Sequence, residues 1–83
     1  MHLNVNAVVS HDCVIGDYVT LSPGVHLTGS VVVDDDVFFG TGAIVTPGRR
    51  IGRGAVVGAG SVVLDDVEAG ARVSGAPARP MVP

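Results

Sequence analysis

The stretch VTLSPGVHLTGSVVVDDDVFFGTGAIV, residues 19–45, decides the fold, because an apolar side chain returns every six residues along it. Continued in both directions, the same spacing meets an apolar residue at every step of the chain. The positions are Leu3, Val9, Ile15, Leu21, Leu27, Val33, Phe39, Val45, Ile51, Val57, Val63 and Ala69. An unbroken run of this kind is not expected by chance in a chain that is 47% hydrophobic. We interpret it as a structural repeat.

Small or β-branched residues form a second series with the same period, four places after the first. Eleven of its twelve members between Ala7 and Val73 are of this type, and Arg49 is the exception. A six-residue period fits neither an α-helix nor a hairpin meander. It fits a solenoid in which each hexapeptide forms one flat side of a coil. The sequence thus predicts an all-β, single-stranded parallel β-helix of about four coils over residues 3–74, with glycines at its corners (Gly16, Gly40, Gly52, Gly58 and Gly70).

Two segments depart from the repeat. Arg49 falls at an inward position, where an unpaired guanidinium would be very costly to bury. We therefore expect TPGRRIG, residues 46–52, to form an irregular corner that turns Arg49 out to solvent. The segment SGAPARPMVP, residues 74–83, carries three prolines that cannot continue a ladder. We expect residues 75–83 to run as an extended C-terminal tail along the outside of the solenoid.

Composition excludes several classes of function. The net charge of −3 and the lack of a basic stripe interleaved with aromatic residues argue against nucleic-acid binding. Neither a membrane span nor a signal peptide is indicated, so we expect a cytoplasmic protein. Cys13, the only cysteine, leaves no internal disulfide and no thiolate cluster for zinc. All five basic side chains are arginines within residues 49–83, where we expect any anion to bind.

The hexapeptide repeat together with HDCVIGD (residues 11–17) and SGAPARP (residues 74–80) resembles the left-handed β-helix acyltransferases. Residues 4–81 are most similar to the C-terminal domain of the sialic acid O-acetyltransferase and UDP-4-amino-sugar N-acetyltransferase family, and HDCVIGDYVTLSPGVHLTGSV, residues 11–31, is the more specific part of that resemblance. The resemblance implies left-handed crossovers and a homotrimer with acetyl-CoA in the groove between subunits. It also implies a metal-free transfer of acetyl to an amine or hydroxyl of a sugar or sugar nucleotide.

The same resemblance implies a catalytic set of three residues. His11 corresponds to the general base of the family, and Asp12 to an acidic residue thought to raise the basicity of that histidine. Gly29 corresponds to the position whose backbone N–H meets the thioester carbonyl. The reaction itself requires the same groups, because acetyl transfer needs a base that takes the acceptor's proton and a hydrogen-bond donor where the oxyanion develops. His11 and Gly29 are 18 residues apart, one full coil, and should stack on adjacent rungs.

Further residues are implied to contact the co-substrate. Thr20, Thr41 and Ala59 correspond to residues lining the acetyl-CoA groove, although close relatives carry histidine in place of Thr20. If the pantetheine arm runs along the solenoid axis, its phosphates reach the later coils. Arg79 is then the first candidate for a phosphate contact, and Arg50 and Arg53 are weaker ones.

Other interpretations of these residues stay open. His11 and Asp12 could be two polar residues on an exposed corner. A γ-carbonic-anhydrase-like zinc enzyme shares this fold, but Asn6 stands where that family has a second histidine, five residues before His11. No serine lies in a triad-like setting. Relatives of this group also carry an N-terminal nucleotide-sugar domain, so the chain could be a truncated fragment, a compact enzyme or a non-catalytic trimeric scaffold.

Overall fold

Short parallel strands make up the chain, which we describe from a computed structural model covering residues 2–3 and 7–80. Every strand but one is two residues long, as expected for a hexapeptide that forms one flat side and then a corner. The strands are β1 (His2–Leu3), β2 (Val8–Val9), β3 (Val14–Ile15), β4 (Thr20–Leu21), β5 (His26–Leu27), β6 (Val32–Val33), β7 (Phe38–Phe39), β8 (Ile44–Val45), β9 (Arg50–Ile51), β10 (Val56–Val57), β11 (Val62–Val63), β12 (Arg72–Ser74) and β13 (Arg79–Pro80).

Three sheets form the flat sides of a solenoid. The first sheet contains β1, β4, β7, β10, β12 and β13, the second contains β2, β5, β8 and β11, and the third contains β3, β6 and β9. Before the last coil, the paired residues along each sheet are 18 apart, so that Leu21 pairs with Leu3 on one side and Phe39 on the other. The prediction of an all-β parallel β-helix of about four coils is confirmed.

The core runs as a column through the centre of the coils. Both predicted series point inward: Leu21, Leu27 and Phe39 from the first and Val25 from the second have no solvent exposure. Phe39 is the only aromatic residue among the buried side chains of the described part of the chain. Ser61 is a buried polar member of the second series, and its hydroxyl donates to the Gly58 carbonyl at 2.7 Å. Each coil therefore buries the apolar face of its neighbours, and a short chain acquires a continuous core.

From residue 12 to residue 60, the chain turns each corner through a residue in the left-handed region, three places after the inward aliphatic residue. This position is occupied in turn by Asp12, Tyr18, Gly24, Ser30, Asp36, Gly42, Gly48, Gly54 and Gly60. Gly16, Gly40 and Gly52, which directly follow the inward aliphatic residue, have another role, which is close packing on the next coil. A Cβ on Gly40, for example, would lie 2.5 Å from the backbone nitrogen of Ala59. Gly70, predicted at the same place, belongs instead to the left-handed series, three places after Val67.

The last coil is two residues shorter than the others, and here the predicted register is wrong. Val73 pairs with Val57 and Val67 with Ile51, in each case a separation of 16 residues instead of 18. Ala69, the last member of the predicted inward series, is exposed as a result. Val67 and Val73, which the regular repeat assigns to the second series, instead take first-series places in line with Ile51 and Val57, and both are buried there.

The predicted irregular corner at residues 46–52 is instead regular. Gly48 takes the left-handed conformation, and the Arg49 carbonyl accepts from the Val32 N–H at 3.0 Å, as its equivalents do in other coils. The guanidinium of Arg49 avoids an unpaired burial by donating to the carbonyls of Pro47 and Leu64, both at 3.4 Å. Its side chain is half-buried.

The C-terminal segment folds back on the last coil and includes a short extended strand. β13 runs antiparallel to β12, with Val73 opposite Pro80 and Ser74 opposite Arg79. Val62 N–H donates to the carbonyl of Gly75, and the Ala78 N–H donates to the carbonyl of Val62, so the same segment also covers β11. Residues 81–83 of the predicted tail lie outside the described residues. No helix capable of crossing a membrane occurs in the described part of the chain.

Candidate functional site

Successive coils bring His11 and Gly29 together. Both belong to the corner that follows the second sheet, formed by residues 10–13, 28–31 and 46–49, which we call the His11 corner. The Ser30 N–H donates to the carbonyl of His11 and the Gly48 N–H to the carbonyl of Gly29, each at 3.1 Å. These bonds hold the two residues one above the other, as the 18-residue spacing requires.

The imidazole of His11 lies directly against Gly29. A Cβ added to Gly29 would be 2.8 Å from the ring Cε1 and 2.9 Å from Nε2, so any side chain there would displace the ring. The His11 side chain is nevertheless 80% exposed. The ring therefore faces solvent on one side and the Thr28–Gly29 backbone on the other, which leaves it open to a reactant.

Asp12 lies beside one nitrogen of the ring and favours the tautomer that leaves the other nitrogen available. Its carboxylate lies 3.2 Å from Nδ1 of His11, and because a carboxylate only accepts, Nδ1 is the nitrogen that donates. Nε2 is then left as the acceptor, at the edge of the ring that meets Gly29. The left-handed backbone of Asp12, a conformation that aspartate tolerates better than most residues, turns the chain at this point.

A second corner carries two of the residues expected to line the acetyl-CoA groove. Thr41 and Ala59 are exposed and adjacent on the corner that follows the first sheet, residues 22–25, 40–43 and 58–61, which we call the Thr41 corner. The Gly60 N–H donates to the Thr41 carbonyl at 2.8 Å. Thr20 lies on the neighbouring first sheet, next to Phe38. Within one chain the second sheet separates this group from the His11 corner.

Arg50 and Arg53 already have partners on the third sheet and its corner. Arg50 lies 3.3 Å from both carboxylate oxygens of Asp34, and Arg53 lies 3.6 Å from Asp36. Asp35 differs from its neighbours, because it accepts from the backbone of the preceding coil at 2.7 Å. The aspartate run therefore serves three separate contacts. Among the described residues no group of three or more His, Cys, Asp or Glu could hold a metal ion, and Asn6 lies outside them.

Arg79 lies at the C-terminal end of the solenoid, far along the chain from the His11 corner. It is exposed on β13 and lines an open cavity of about 340 Å³ together with Asp65, Asp66 and Glu68. The three carboxylates that line the same cavity lower the electrostatic potential in it and work against binding of an anion there. A phosphate contact by Arg79 stays a prediction.

One contact at the His11 corner was missed from the sequence. Cys13 was interpreted as a packed apolar residue, and it does pack against the core, but its Sγ also lies 3.1 Å from the carbonyl oxygen of Thr28. The available signal was a thiol in a series otherwise rich in valine and alanine. The sequence could not show that the thiol points at the peptide before Gly29.

Known proteins share both this sequence and this fold, although no protein-family model matches the chain. The chain is 47% identical to GDP-perosamine N-acetyltransferase of Escherichia coli O157:H7 over 96% of its own length and 38% of the relative. It superposes with a TM-score of 0.89 on PerB from Caulobacter crescentus in complex with CoA and GDP-perosamine, at 40% identity over 95% of this chain and 38% of that one.

A third similar structure is the acetyltransferase domain of PglB from Neisseria gonorrhoeae FA1090 in complex with acetyl coenzyme A. Its TM-score is 0.92 and its identity 38%, over 94% of this chain and 38% of that one. Structural neighbours of the chain are left-handed β-helices, which fixes the hand of the crossovers as the sequence resemblance implied. The chain spans well under half the length of the relatives it matches.

Proposed function

The chain belongs to the left-handed β-helix, hexapeptide-repeat acyltransferases, and on that premise we propose that it transfers acetyl from acetyl-CoA to the amine of a sugar nucleotide. The observation that carries the proposal is the His11 corner, where an exposed imidazole with a defined acceptor nitrogen lies against Gly29. A relative named GDP-perosamine N-acetyltransferase, and the similar structure of PerB bound to CoA and GDP-perosamine, support an amine over a hydroxyl.

The proposed reaction is a direct transfer without a covalent enzyme intermediate. His11 Nε2 takes the proton of the acceptor nitrogen while that nitrogen attacks the thioester carbonyl. The Gly29 N–H, which has no acceptor among the described residues, donates to the oxyanion that develops. The C–S bond then breaks, and the proton held by His11 is returned to the thiolate of CoA. Asp12 stabilises the imidazolium in the interval.

We further propose that the enzyme is a homotrimer and that the co-substrate binds between subunits. The second sheet, which lies between the two corners, exposes Val8 and Ile44 on its outer face. If this sheet faces a threefold axis, the His11 corner of one subunit lies beside the Thr41 corner of the next. Thr20, Thr41 and Ala59 of that neighbour then line the same groove as His11 and Gly29.

The first test of the proposal is a calorimetric titration of the chain with acetyl-CoA. We expect saturable binding near one site per subunit, because the groove is built from the described residues. A folded sample that bound no acetyl-CoA would contradict the proposal and leave the β-helix as a non-catalytic scaffold. A chain that binds acetyl-CoA but transfers no acetyl group would point to a fragment that lacks the acceptor-binding part. The proposed cytoplasmic location needs a separate test in cells.

The second test is the variant His11→Ala, assayed by release of the CoA thiol with GDP-perosamine as the probe acceptor. We expect turnover to fall by roughly 10²–10⁴-fold, the usual contribution of a general base, with little change in acetyl-CoA affinity. Val14→Ala is the control, because Val14 is exposed on β3 of the third sheet, outside both the proposed catalytic set and the proposed subunit interface. Equal turnover in the two variants would remove His11 from the mechanism.

A further inference from the structure

The peptide unit that joins Thr28 to Gly29 carries two groups that point in opposite directions. One is the Gly29 N–H proposed above as the oxyanion donor, and the other is the Thr28 carbonyl. Because the unit is trans, whatever holds the carbonyl also decides where the N–H points. The orientation of the proposed donor thus depends on the partner of the Thr28 oxygen.

The equivalent carbonyl is held differently at the two corners. At the Thr41 corner this carbonyl accepts from the backbone N–H three residues later, which closes the turn. The accepting carbonyls are those of Ser22, Gly40 and Gly58, at 3.2–3.3 Å. At the His11 corner the described residues form no such bond to Ser10, Thr28 or Thr46. The turn at residues 28–31 is open, and Cys13 from the preceding coil donates its thiol to the Thr28 oxygen instead.

The position of the thiol is itself well determined. Cys13 is half-buried and packs against the hydrophobic core, so its side chain is not free to follow the peptide. It lies two residues after His11 in the same turn. One short segment therefore supplies the base and the group that orients the donor, and the two are placed relative to each other within that segment.

We propose that Cys13 is a positioning residue whose thiol, by donating to the Thr28 carbonyl, aims the Gly29 N–H away from the core and toward the thioester carbonyl at the His11 corner. The proposal rests on the acetyl transfer proposed above and deepens it. The thiol forms no covalent bond in the reaction.

The test is the variant Cys13→Val, which removes the donor and keeps an apolar side chain in place. The variant should fold, because valine occupies the equivalent inward position at Val19, Val25, Val31 and Val37. The reverse change Val19→Cys is the matched control, since it exchanges the same two side chains at the next corner. Each protein is labelled with ¹⁵N-glycine, and both the Gly29 amide resonance and the steady-state kinetics for acetyl-CoA are measured.

In Cys13→Val we expect the Gly29 amide resonance to shift and kcat to fall about 10- to 100-fold, with KM for acetyl-CoA within about twofold of wild type. Val19→Cys should leave the Gly29 resonance and kcat unchanged. An unshifted Gly29 amide in Cys13→Val, or equal losses in both variants, would overturn the proposal. If the wild-type chain transfers no acetyl, the proposed function fails on that result, while the Gly29 amide still decides whether Cys13 orients the peptide.

Discussion

At the His11 corner, the groups that single residues lack matter as much as the groups that they supply. Gly29 has no side chain where the imidazole of His11 lies, and Pro47 in the next coil has no N–H to compete with that of Gly29. Asp12 combines a turn conformation that suits aspartate with a carboxylate that reaches Nδ1. The catalytic proposal thus depends on the smallest groups at the corner as well as on the imidazole.

The variant Gly29→Ala tests this arrangement. The added methyl would overlap the His11 ring, and because that side chain is exposed it can swing into solvent at little cost in stability. We expect kcat to fall by roughly 10- to 100-fold through misplacement of the base, with an unfolding temperature close to that of wild type. Wild-type turnover, or a large loss of thermal stability, would contradict the proposed role of the contact.

At the scale of the element, each hexapeptide combines a two-residue strand, a glycine or small residue that packs on the next coil, and a left-handed turn residue. The two kinds of glycine meet different constraints two residues apart in the same turn. Gly40 lies where a Cβ would collide with the backbone at Ala59, whereas Gly42 has a φ of +75° and nothing within 4 Å of an added Cβ. Lack of space therefore requires glycine at the first position, and the left-handed backbone conformation favours glycine at the second.

The paired variants Gly40→Ala and Gly42→Ala separate these two effects. Gly42→Ala should lower the free energy of unfolding by about 1–2 kcal/mol, the usual cost of a left-handed residue with a Cβ. Gly40→Ala should lower it by about 3 kcal/mol or more, because the obstacle is the backbone of another coil and cannot move aside. Chemical denaturation of both variants measures the difference, and a larger loss in Gly42→Ala would reverse our assignment.

The period of six predicted the strands and the core, since that pattern alone decides which residues face inward. The period could not reveal the series of left-handed turn residues, because four of its positions are not glycine. These are Asp12, Tyr18, Ser30 and Asp36. The shortened last coil was also hidden, because Ala69 is apolar and keeps the apparent period although the structure exposes it. The candidate site was predicted from the resemblance, whereas its hydrogen bonds depend on the stacking of coils and could not be read from the sequence.

At the scale of the molecule, the two ends and the three faces differ in what they expose. The C-terminal end is covered, since β13 pairs with β12 and the Gly75–Ala78 segment bonds to β11. Apolar side chains remain exposed on the outer faces, among them Val8 and Ile44 on the second sheet and Val14 on the third. The proposed trimer covers the second sheet and leaves the third exposed.

The variants Ile44→Asp and Val14→Asp test which face is covered. Both replace an exposed apolar strand residue by a charge, with Ile44 at 40% and Val14 at 61% exposure in the single chain. A carboxylate buried between subunits without a partner is unfavourable, so Ile44→Asp should dissociate the trimer. Val14→Asp should leave it intact. Sedimentation velocity distinguishes the two, and the opposite pattern would place the third sheet at the threefold axis.

Upstream of the shortened last coil, the 18-residue separation between paired residues is constant, so the number of coils sets the length of the solenoid. Duplicating one complete coil upstream of the shortened last one keeps every inward residue in phase, and lengthens the molecule by about 4.8 Å, the spacing of paired strands. The His11 corner and the C-terminal hairpin would move apart by that step without rotating about the axis, apart from the small twist between coils. The distance between two groups attached at these places could therefore be set in steps of one coil. A globular domain of this size does not allow such stepwise changes in length.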